Sequence, residues 1–207
     1  MPLSSHRPIL YAITSGATTN KTSPGDYEFT RILLLAEAAA AAQISLFQIR
    51  EKNLSARVFY ELVMRAAKIT RGSSTRLLVN DRFDVALAAG ADGVHLTSAS
   101  LPPQVVRAVC GPEFLIGAST HSLETARASR DGGADFAVFG PVFETESKRA
   151  YGPPQGLSKL QEVASELQAF PVVAIGGVTL DNAESCFAAG ASGIAGITLF
   201  DAFNPTR

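Results

Sequence analysis

Several polar side chains that could bind an anion come directly after short apolar runs of the sequence. In QIREK, Gln48, Arg50 and Lys52 are two residues apart, so they share one side if the strand stays extended. Arginine offers a planar fork to a phosphate or pyrophosphate, and lysine offers a point charge. The alternative is a solvated loop in which Glu51 pairs with Lys52.

A second polar pair follows another apolar run, in the sequence VNDR. Asn80 and Asp81 carry oxygens that suit a hard cation or a ligand amine. Both residue types also cap helices well, and the segment RFDVALAAG that follows is predicted to be helical. Ligand binding and capping therefore both remain open for this pair.

The sequence GASTHS supplies a candidate for proton transfer. Ser119 and His121 are two residues apart and could face the same space, and histidine titrates near neutral pH. The alternative is that His121 is structural, while Ser122 and Glu124 begin the next helix. No acid is placed to complete a Ser-His-Asp triad, so a hydrolase is not expected.

Glycines and a hydroxyl follow the last two apolar runs, in VAIGGVT and GIAGITLF. Gly176 and Gly177 let a ligand approach the backbone closely, and Thr198 adds a hydroxyl group. Parallel barrels often bind phosphate at this position, on backbone amides and a helix N-terminus. A purely structural turn is the alternative.

The sequence VFGPVFETESK changes abruptly from apolar to polar at Glu144. Thr145, Ser147 and Lys148 supply donors for an anion. The length of the segment ETESKRAYGPPQG predicts a lid that closes over a substrate. A solvated surface loop is the alternative.

The elements that must position these residues are short strands alternating with helical segments. Most of the strands are continuous apolar runs, which is typical of parallel strands covered on both faces. Eight such units predict a (β/α)8 TIM barrel in which residues 1–207 form one domain; an open doubly wound sheet is the alternative. In such a barrel the carboxyl ends of the strands form the active face. The predicted strands are residues 8–14, 44–50, 76–80, 92–96, 114–119, 135–140, 171–177 and 192–198.

Three segments repeat a helix end, Gly-Ala-(Asp or Ser) and a strand: LAAGADGVHL, DGGADFAVFG and FAAGASGIAGI. Gly90, Gly133 and Gly190 can adopt the left-handed conformation that ends a helix. After the eighth strand only FDAFNPTR remains, which predicts a truncated final helix. The missing layer either leaves an apolar edge or is covered by a partner chain, in which case the chain would form a homodimer.

Composition narrows the function classes. The chain has 207 residues, 46% of them hydrophobic, and a net charge of −1, so nothing steers it to nucleic acid or an anionic membrane. Cys110 and Cys186 have no metal-ligand spacing and are expected to be reduced thiols. The longest apolar stretch is too short to span a bilayer, and no signal-peptide pattern is present. A cytoplasmic protein is expected.

Together, QIREK, VNDRFDVALAAGADGVHL, IGASTHS, GADFAVFGPVFETESK, PVVAIGGVT and GASGIAGI resemble the thiamine-phosphate synthase / TenI superfamily of small (β/α)8 barrels. The synthases join an aminopyrimidine pyrophosphate to a thiazole phosphate with Mg²⁺, whereas TenI-type tautomerases aromatise a carboxythiazole phosphate by proton transfer. The resemblance implies a pyrimidine pyrophosphate site at Gln48, Arg50, Lys52 and Asn80, with Asp81 as a Mg²⁺ ligand. It implies pyrophosphate and thiazole contacts at Ser119, Thr145, Ser147 and Lys148, and thiazole phosphate contacts at Gly177, Ile197 and Thr198.

One departure from the synthase pattern favours the tautomerase branch. Synthases usually have GVHLGQxD after the fourth strand, but this chain has GVHLTSAS, with Ser100 in place of the second magnesium-binding aspartate. HSLE and VFGPVFET also resemble the TenI branch, whereas Lys52 in REK resembles the synthases. The sequence thus predicts a cofactor-free thiazole tautomerase with His121, Lys52 and Lys148 as catalytic residues. The alternatives are a Mg²⁺-dependent synthase and a non-catalytic, metabolite-binding or regulatory barrel.

Overall fold

Eight parallel strands form a closed barrel in the computed structural model, which describes residues 7–145 and 153–199. Each strand pairs with its neighbours in chain order, and the last strand pairs with the first, Tyr11 lying opposite Ala195. The predicted barrel is confirmed, and the open-sheet alternative is wrong because no strand edge is left unpaired. The strands are β1 (Ile9–Ile13), β2 (Leu46–Ile49), β3 (Arg76–Asn80), β4 (Gly93–Leu96), β5 (Leu115–Thr120), β6 (Phe136–Phe139), β7 (Val172–Ile175) and β8 (Gly193–Gly196).

Helices connect consecutive strands across the described part of the chain. Ser122 caps one of them in a capping box with Thr125, which confirms that a helix begins here. No helix within residues 7–145 and 153–199 is long and apolar enough to cross a membrane. The predicted truncated final helix falls in residues 200–207, which lie outside the described residues. The helices are α1 (Tyr27–Ala41), α2 (Ala56–Thr70), α3 (Phe83–Ala89), α4 (Pro103–Cys110), α5 (Leu123–Asp131), α6 (Gly156–Glu166) and α7 (Ala183–Ala188).

Side chains of alternate strand residues fill the inside of the barrel. Tyr11 and Phe136 are fully buried there, with ring centroids 5.8 Å apart in an edge-to-face arrangement. The Phe136 ring occupies the space beside Gly117, where an added Cβ would lie only 2.3 Å from the ring. The floor beneath the carboxyl end of the barrel is therefore closed by packed aromatic rings.

The Gly-Ala-(Asp or Ser) repeat has two structural functions. Gly90, Gly133 and Gly190 have φ angles of 74°, 88° and 88°, which confirms that they end helices in the left-handed conformation. The side chain of the residue before each even-numbered strand accepts a hydrogen bond from a backbone N–H of the preceding strand. The same contact therefore occurs four times around the barrel, once for each pair of strands. The donor and acceptor pairs are Leu10 with Ser45, Leu77 with Asp92, Ile116 with Asp135 and Val172 with Ser192.

We expect Asp135→Ala to lower the free energy of unfolding by about 1–2 kcal/mol, because it leaves a strand N–H without its acceptor. The Asp135 carboxylate accepts from Ile116 N and from Arg107 Nη2, each at 2.7 Å. Urea unfolding of the variant measures the loss. Asp131→Ala is the matched control, since its pair with Arg130 is exposed and contributes little. Equal stability of the two variants would contradict the structural role of Asp135.

The two cysteines are free thiols, as predicted. Cys186 is fully buried in α7, and Cys110 is half-buried at the end of α4. Burial raises the pKa of both thiols, which favours their protonated form.

Candidate active site

The carboxyl ends of the strands bring several predicted site residues to one mouth of the barrel. Leu46 and Leu78 belong to the cluster inside the barrel, so Gln48 and Asn80, two residues further along their strands, face the same interior. Asn80 is buried and lies in register with His95 on the neighbouring strand. Gln48 is 1% exposed, and its Nε2 donates to the Tyr11 hydroxyl at 2.8 Å. Polar groups therefore lie directly above the aromatic floor.

His95 is a functional candidate that the sequence analysis missed. Its Nε2 lies 2.8 Å from Ser119 Oγ, and its ring centroid is 5.8 Å from that of Tyr11. Its Nδ1 is buried and has no hydrogen-bond partner within the described residues. A bound ligand could satisfy such a nitrogen. The sequence analysis treated GVHL as an apolar strand and so passed over its histidine. The feature that identifies His95 is its position in register with Asn80 on the neighbouring strand.

Burial, with a smaller contribution from the positive charge of Arg50, lowers the pKa of His95 from 6.5 to about 4. His95 is therefore a neutral hydrogen-bonding group at physiological pH. The contribution of Arg50 also indicates that its guanidinium charge acts on the interior of the mouth. Ser119 shares this environment through its contact with His95.

We expect the free energy of unfolding to fall by about 3 kcal/mol between pH 6.5 and pH 4 through His95 alone. In this window the unfolded chain binds a proton that the folded protein, with a His95 pKa of about 4, does not bind, so stability rises with pH. Urea unfolding across the window measures the slope. His95→Asn should remove this component and His121→Asn should keep it; identical slopes in wild type and His95→Asn would disprove the assignment.

Glu51 does not pair with Lys52, which was the alternative to an anion site at QIREK. The Glu51 side chain is buried and turns towards the loop between β1 and α1, where it bonds Thr14, Gly16 and Thr18. Lys52 lies in a turn beyond the end of β2 and is exposed. The two-residue spacing therefore does not place the Lys52 side chain on the same side as that of Gln48.

Asn80 and Asp81 do not cap α3. The N-cap of that helix is Arg82, whose side chain makes no capping hydrogen bond. Asp81 has a φ of 64°, which is unusual for a non-glycine residue, and its N–H donates to the His95 carbonyl at 2.8 Å. Unfavourable backbone conformations of this kind concentrate at functional sites. The ligand role of the pair remains a prediction.

Gly176 and Gly177 accommodate the beginning of the β6–α6 loop. Phe143 N donates to Gly176 O at 2.9 Å, and a Cβ on Gly176 would lie 2.5 Å from Pro141 Cα. A Cβ on Gly177, whose φ is 65°, would lie 2.7 Å from Glu144 O. These left-handed glycines also end β7 at Ile175, before the predicted boundary. The two glycines therefore have a packing role, and phosphate binding by their amides remains a prediction.

The predicted lid is only partly described. Thr145 is the last residue described before the gap and therefore lies at the beginning of that loop. Ser147 and Lys148 lie outside the described residues, so their predicted contacts with a substrate stay predictions. Val142 N donates to Ile175 O at 2.8 Å, which anchors the start of the loop to the end of β7.

His121 is exposed at the carboxyl end of the barrel, directly after β5. Its Nδ1 bonds the carbonyl oxygen of Gly140, which follows β6. Because a carbonyl only accepts, Nδ1 must carry the hydrogen, and Nε2 is the nitrogen that can take up a proton. His121 can therefore serve in proton transfer even though Ser122 caps the next helix.

Ile197 and Thr198 follow β8 and are exposed at the same end of the barrel. They line a cavity of about 140 Å³ beside β1, together with Thr14, Ser15 and Arg31. Arg31 is a cation of α1 that the sequence analysis did not single out, because only the fold brings it near Thr198. Most of the remaining lining is apolar and lies between α1 and the first two strands, including Leu35, Ala39 and Phe47, so Arg31 is near Thr198 at the edge of an apolar cavity.

Two larger cavities, of about 530 and 570 Å³, lie at the opposite end of the barrel, around Ala169–Pro171. Two of the charged groups that line the first, Arg130 and Asp135, are paired with Asp131 and Arg107. These cavities are lined by loops that lead into strands, at the end of the barrel opposite to the face where TIM barrels carry their active sites. We therefore assign the site by its chemistry and not by cavity size.

The residues present allow only a limited magnesium site. Among residues 7–145 and 153–199, no three His, Cys, Asp or Glu side chains lie close enough together to hold a metal ion. Ser100 Oγ accepts from Thr97 N at 2.8 Å, so this hydroxyl serves its own turn. Asp81 offers one carboxylate. One carboxylate with substrate phosphate oxygens is a common magnesium environment, so the residues fit an ion that arrives with a phosphorylated substrate.

Comparisons with known proteins agree with this architecture. A family model described as thiamine monophosphate synthase matches residues 10–200. The chain is 38% identical to a thiamine-phosphate synthase of Roseiflexus sp. over 198 residues, covering 96% of this chain and 80% of that protein. It is 42% identical to a thiamine-phosphate synthase of Methanoculleus marisnigri over 164 residues, covering 79% and 77%. A solved structure, thiamine phosphate pyrophosphorylase from Pyrococcus furiosus, superposes with a TM-score of 0.75 at 34% identity, covering 94% of this chain and 87% of the other.

Proposed function

The chain belongs to the thiamine monophosphate synthase family, and we propose that it is a thiamine-phosphate synthase in thiamine biosynthesis. The substrates are an aminopyrimidine pyrophosphate and a thiazole phosphate. A carbon–nitrogen bond forms between the two heterocycles, the carbon–oxygen bond to pyrophosphate breaks, and pyrophosphate leaves. This proposal replaces the tautomerase expected from the sequence, because the relatives compared above are named for synthase chemistry.

The observation that carries the proposal is that a positive charge and neutral hydrogen-bonding side chains lie together at the mouth of the barrel. The Arg50 charge acts on the interior beside neutral His95, which suits an anionic leaving group next to a heterocycle. Gln48, Asn80 and the His95–Ser119 pair offer hydrogen bonds to ring nitrogens and an amino group. At the other side, Thr198 and the amides of Gly176 and Gly177 are proposed to hold the thiazole phosphate.

In this proposal Asp81 would help to hold a magnesium ion that arrives with the pyrophosphate. When bound, the ion would neutralise charge that develops on the leaving group. The chain's own residues bind and orient: Arg50 fixes the pyrophosphate, and the lid residues Ser147 and Lys148 are proposed to exclude water. Positioning two bound substrates for direct attack can itself supply a large part of the rate enhancement.

A coupling assay with purified protein tests the function. Aminopyrimidine pyrophosphate, thiazole phosphate and Mg²⁺ should give thiamine phosphate and pyrophosphate, and omission of Mg²⁺ should slow the reaction. No product under any metal condition would contradict the synthase. The cytoplasmic location and the homodimer expected from the sequence remain predictions.

A second candidate is the tautomerase, favoured by one observation: Gly140 orients His121 so that Nε2 can exchange a proton. Incubation with the carboxythiazole phosphate tautomer alone tests this reaction, and His121→Ala should abolish it while leaving coupling intact if the two chemistries are separate. Binding of both substrates without either reaction would favour the non-catalytic metabolite-binding barrel.

A further inference from the structure

Glu51 is a buried acid whose hydrogen bonds reach across two loops of the active face. It is 4% exposed. Its Oε1 accepts from Thr14 Oγ1 at 2.6 Å and from Gly16 N at 3.1 Å. Its Oε2 accepts from Thr18 N at 3.0 Å and from Thr18 Oγ1 at 2.6 Å. A buried carboxylate that binds four donors orders the loop that supplies them.

Two of the residues that Glu51 binds, Thr14 and Gly16, are also in contact with Arg50. Thr14 Oγ1, which donates to Glu51, also accepts from the backbone N–H of Arg50 at 2.9 Å. Gly16, held through its own N–H, lies against Arg50: a Cβ there would be 3.3 Å from the Arg50 carbonyl oxygen and 3.4 Å from its Nη1. Both the backbone and the guanidinium of Arg50 are therefore in contact with the loop that Glu51 holds.

We propose that Glu51 is a positioning residue of the pyrophosphate site, which fixes the β1–α1 loop against Arg50 and so holds the guanidinium ready for the anion. This inference rests on the proposed function, since it assigns pyrophosphate to Arg50. Glu51 itself does not touch the substrate. Its carboxylate would repel a pyrophosphate if it turned outwards, and its four bonds keep it inwards.

Only a carboxylate can satisfy this set of donors. Gly16 N and Thr18 N are backbone N–H groups that point at different oxygens of Glu51. In Glu51→Gln, the amide NH₂ must face one of them in either orientation, and two donors cannot bond each other. The loop must then shift, and Arg50 loses its support while its charge is unchanged.

Isothermal titration with pyrophosphate and Mg²⁺ tests the proposal on the intact protein. We expect Glu51→Gln to weaken pyrophosphate binding by about tenfold, the typical effect of losing one hydrogen-bonded support, and to leave thiazole phosphate binding unchanged. Hydrogen exchange should become faster at the amides of Gly16 and Thr18. Thr14→Val should weaken pyrophosphate binding in the same direction, and Thr14→Ser, which keeps the hydroxyl, should restore it.

Asp26→Asn is the matched control, because Asp26 also bonds a backbone N–H of the β1–α1 loop, that of Ser23, but does not reach Arg50. It should bind pyrophosphate as the wild type does. Wild-type affinity in Glu51→Gln would overturn the proposal, and so would an equal loss of both ligands, which would mark a general structural role. If the wild type binds no pyrophosphate, the proposed function fails, and the positioning role fails with it.

Discussion

Arg50→Ala is expected to reduce kcat/KM for thiamine phosphate formation by about a hundredfold or more, because the leaving pyrophosphate loses a fixed positive charge. Arg50 follows β2 at the mouth, is supported by Gly16 and Thr14, and its charge acts on His95. Steady-state kinetics with each substrate varied measures the effect. The loss should appear mainly against aminopyrimidine pyrophosphate.

Two further variants make the Arg50 result specific. Arg50→Lys keeps the charge but not the planar fork, so we expect an intermediate activity. Arg57→Ala removes an exposed arginine of α2 and should leave kcat/KM within about twofold of the wild type, as surface substitutions usually do. Wild-type activity in Arg50→Ala would remove the leaving-group site from the proposed mechanism.

Phe136→Ala is expected to lower the free energy of unfolding by about 3–5 kcal/mol, because it opens a cavity inside the barrel. The ring is fully buried, contacts Tyr11 and fills the space beside Gly117. Neighbouring strands cannot collapse into the gap without breaking the closed hydrogen-bond ladder. Urea unfolding measures the loss.

The matched control for this cavity is Leu180→Ala, in the loop after β7, where the side chain is 76% exposed. Its stability should stay within about 0.5 kcal/mol of the wild type. Because Tyr11 receives the hydrogen bond of Gln48, Phe136→Ala should also weaken substrate binding at the mouth. A loss below about 1 kcal/mol would mean that the barrel interior repacks, contrary to the packing described here.

The sequence predicted the barrel well because the signals for its strands and helix ends each lie within a few consecutive residues. Continuous apolar runs, left-handed glycines and a serine that begins α5 all act within a few residues. The strand ends were less well placed. Residues 171–177 were predicted as a strand that in fact stops at Ile175, since two glycines with positive φ leave the extended conformation.

The hydrogen-bond partners of individual side chains could not be predicted from the sequence in the same way. One alternative drawn from the sequence paired Glu51 with Lys52, but the carboxylate bonds Thr14, which is 37 residues away in the chain. His95 was hidden in an apolar strand, and only its register with Asn80 and its contact with Ser119 reveal it as a site residue. Gly176 and Gly177, which the sequence offered as a phosphate site, pack closely against the neighbouring β6–α6 loop.

By itself, the amino-acid sequence determined a parallel barrel with polar strand ends and the family to which it belongs, since these depend on periodicity and on motifs contiguous in the chain. The tertiary structure decided which side chains support one another at the mouth. Those contacts join strands and loops far apart in sequence. Their geometry depends on the register of a closed sheet, which local spacing does not encode.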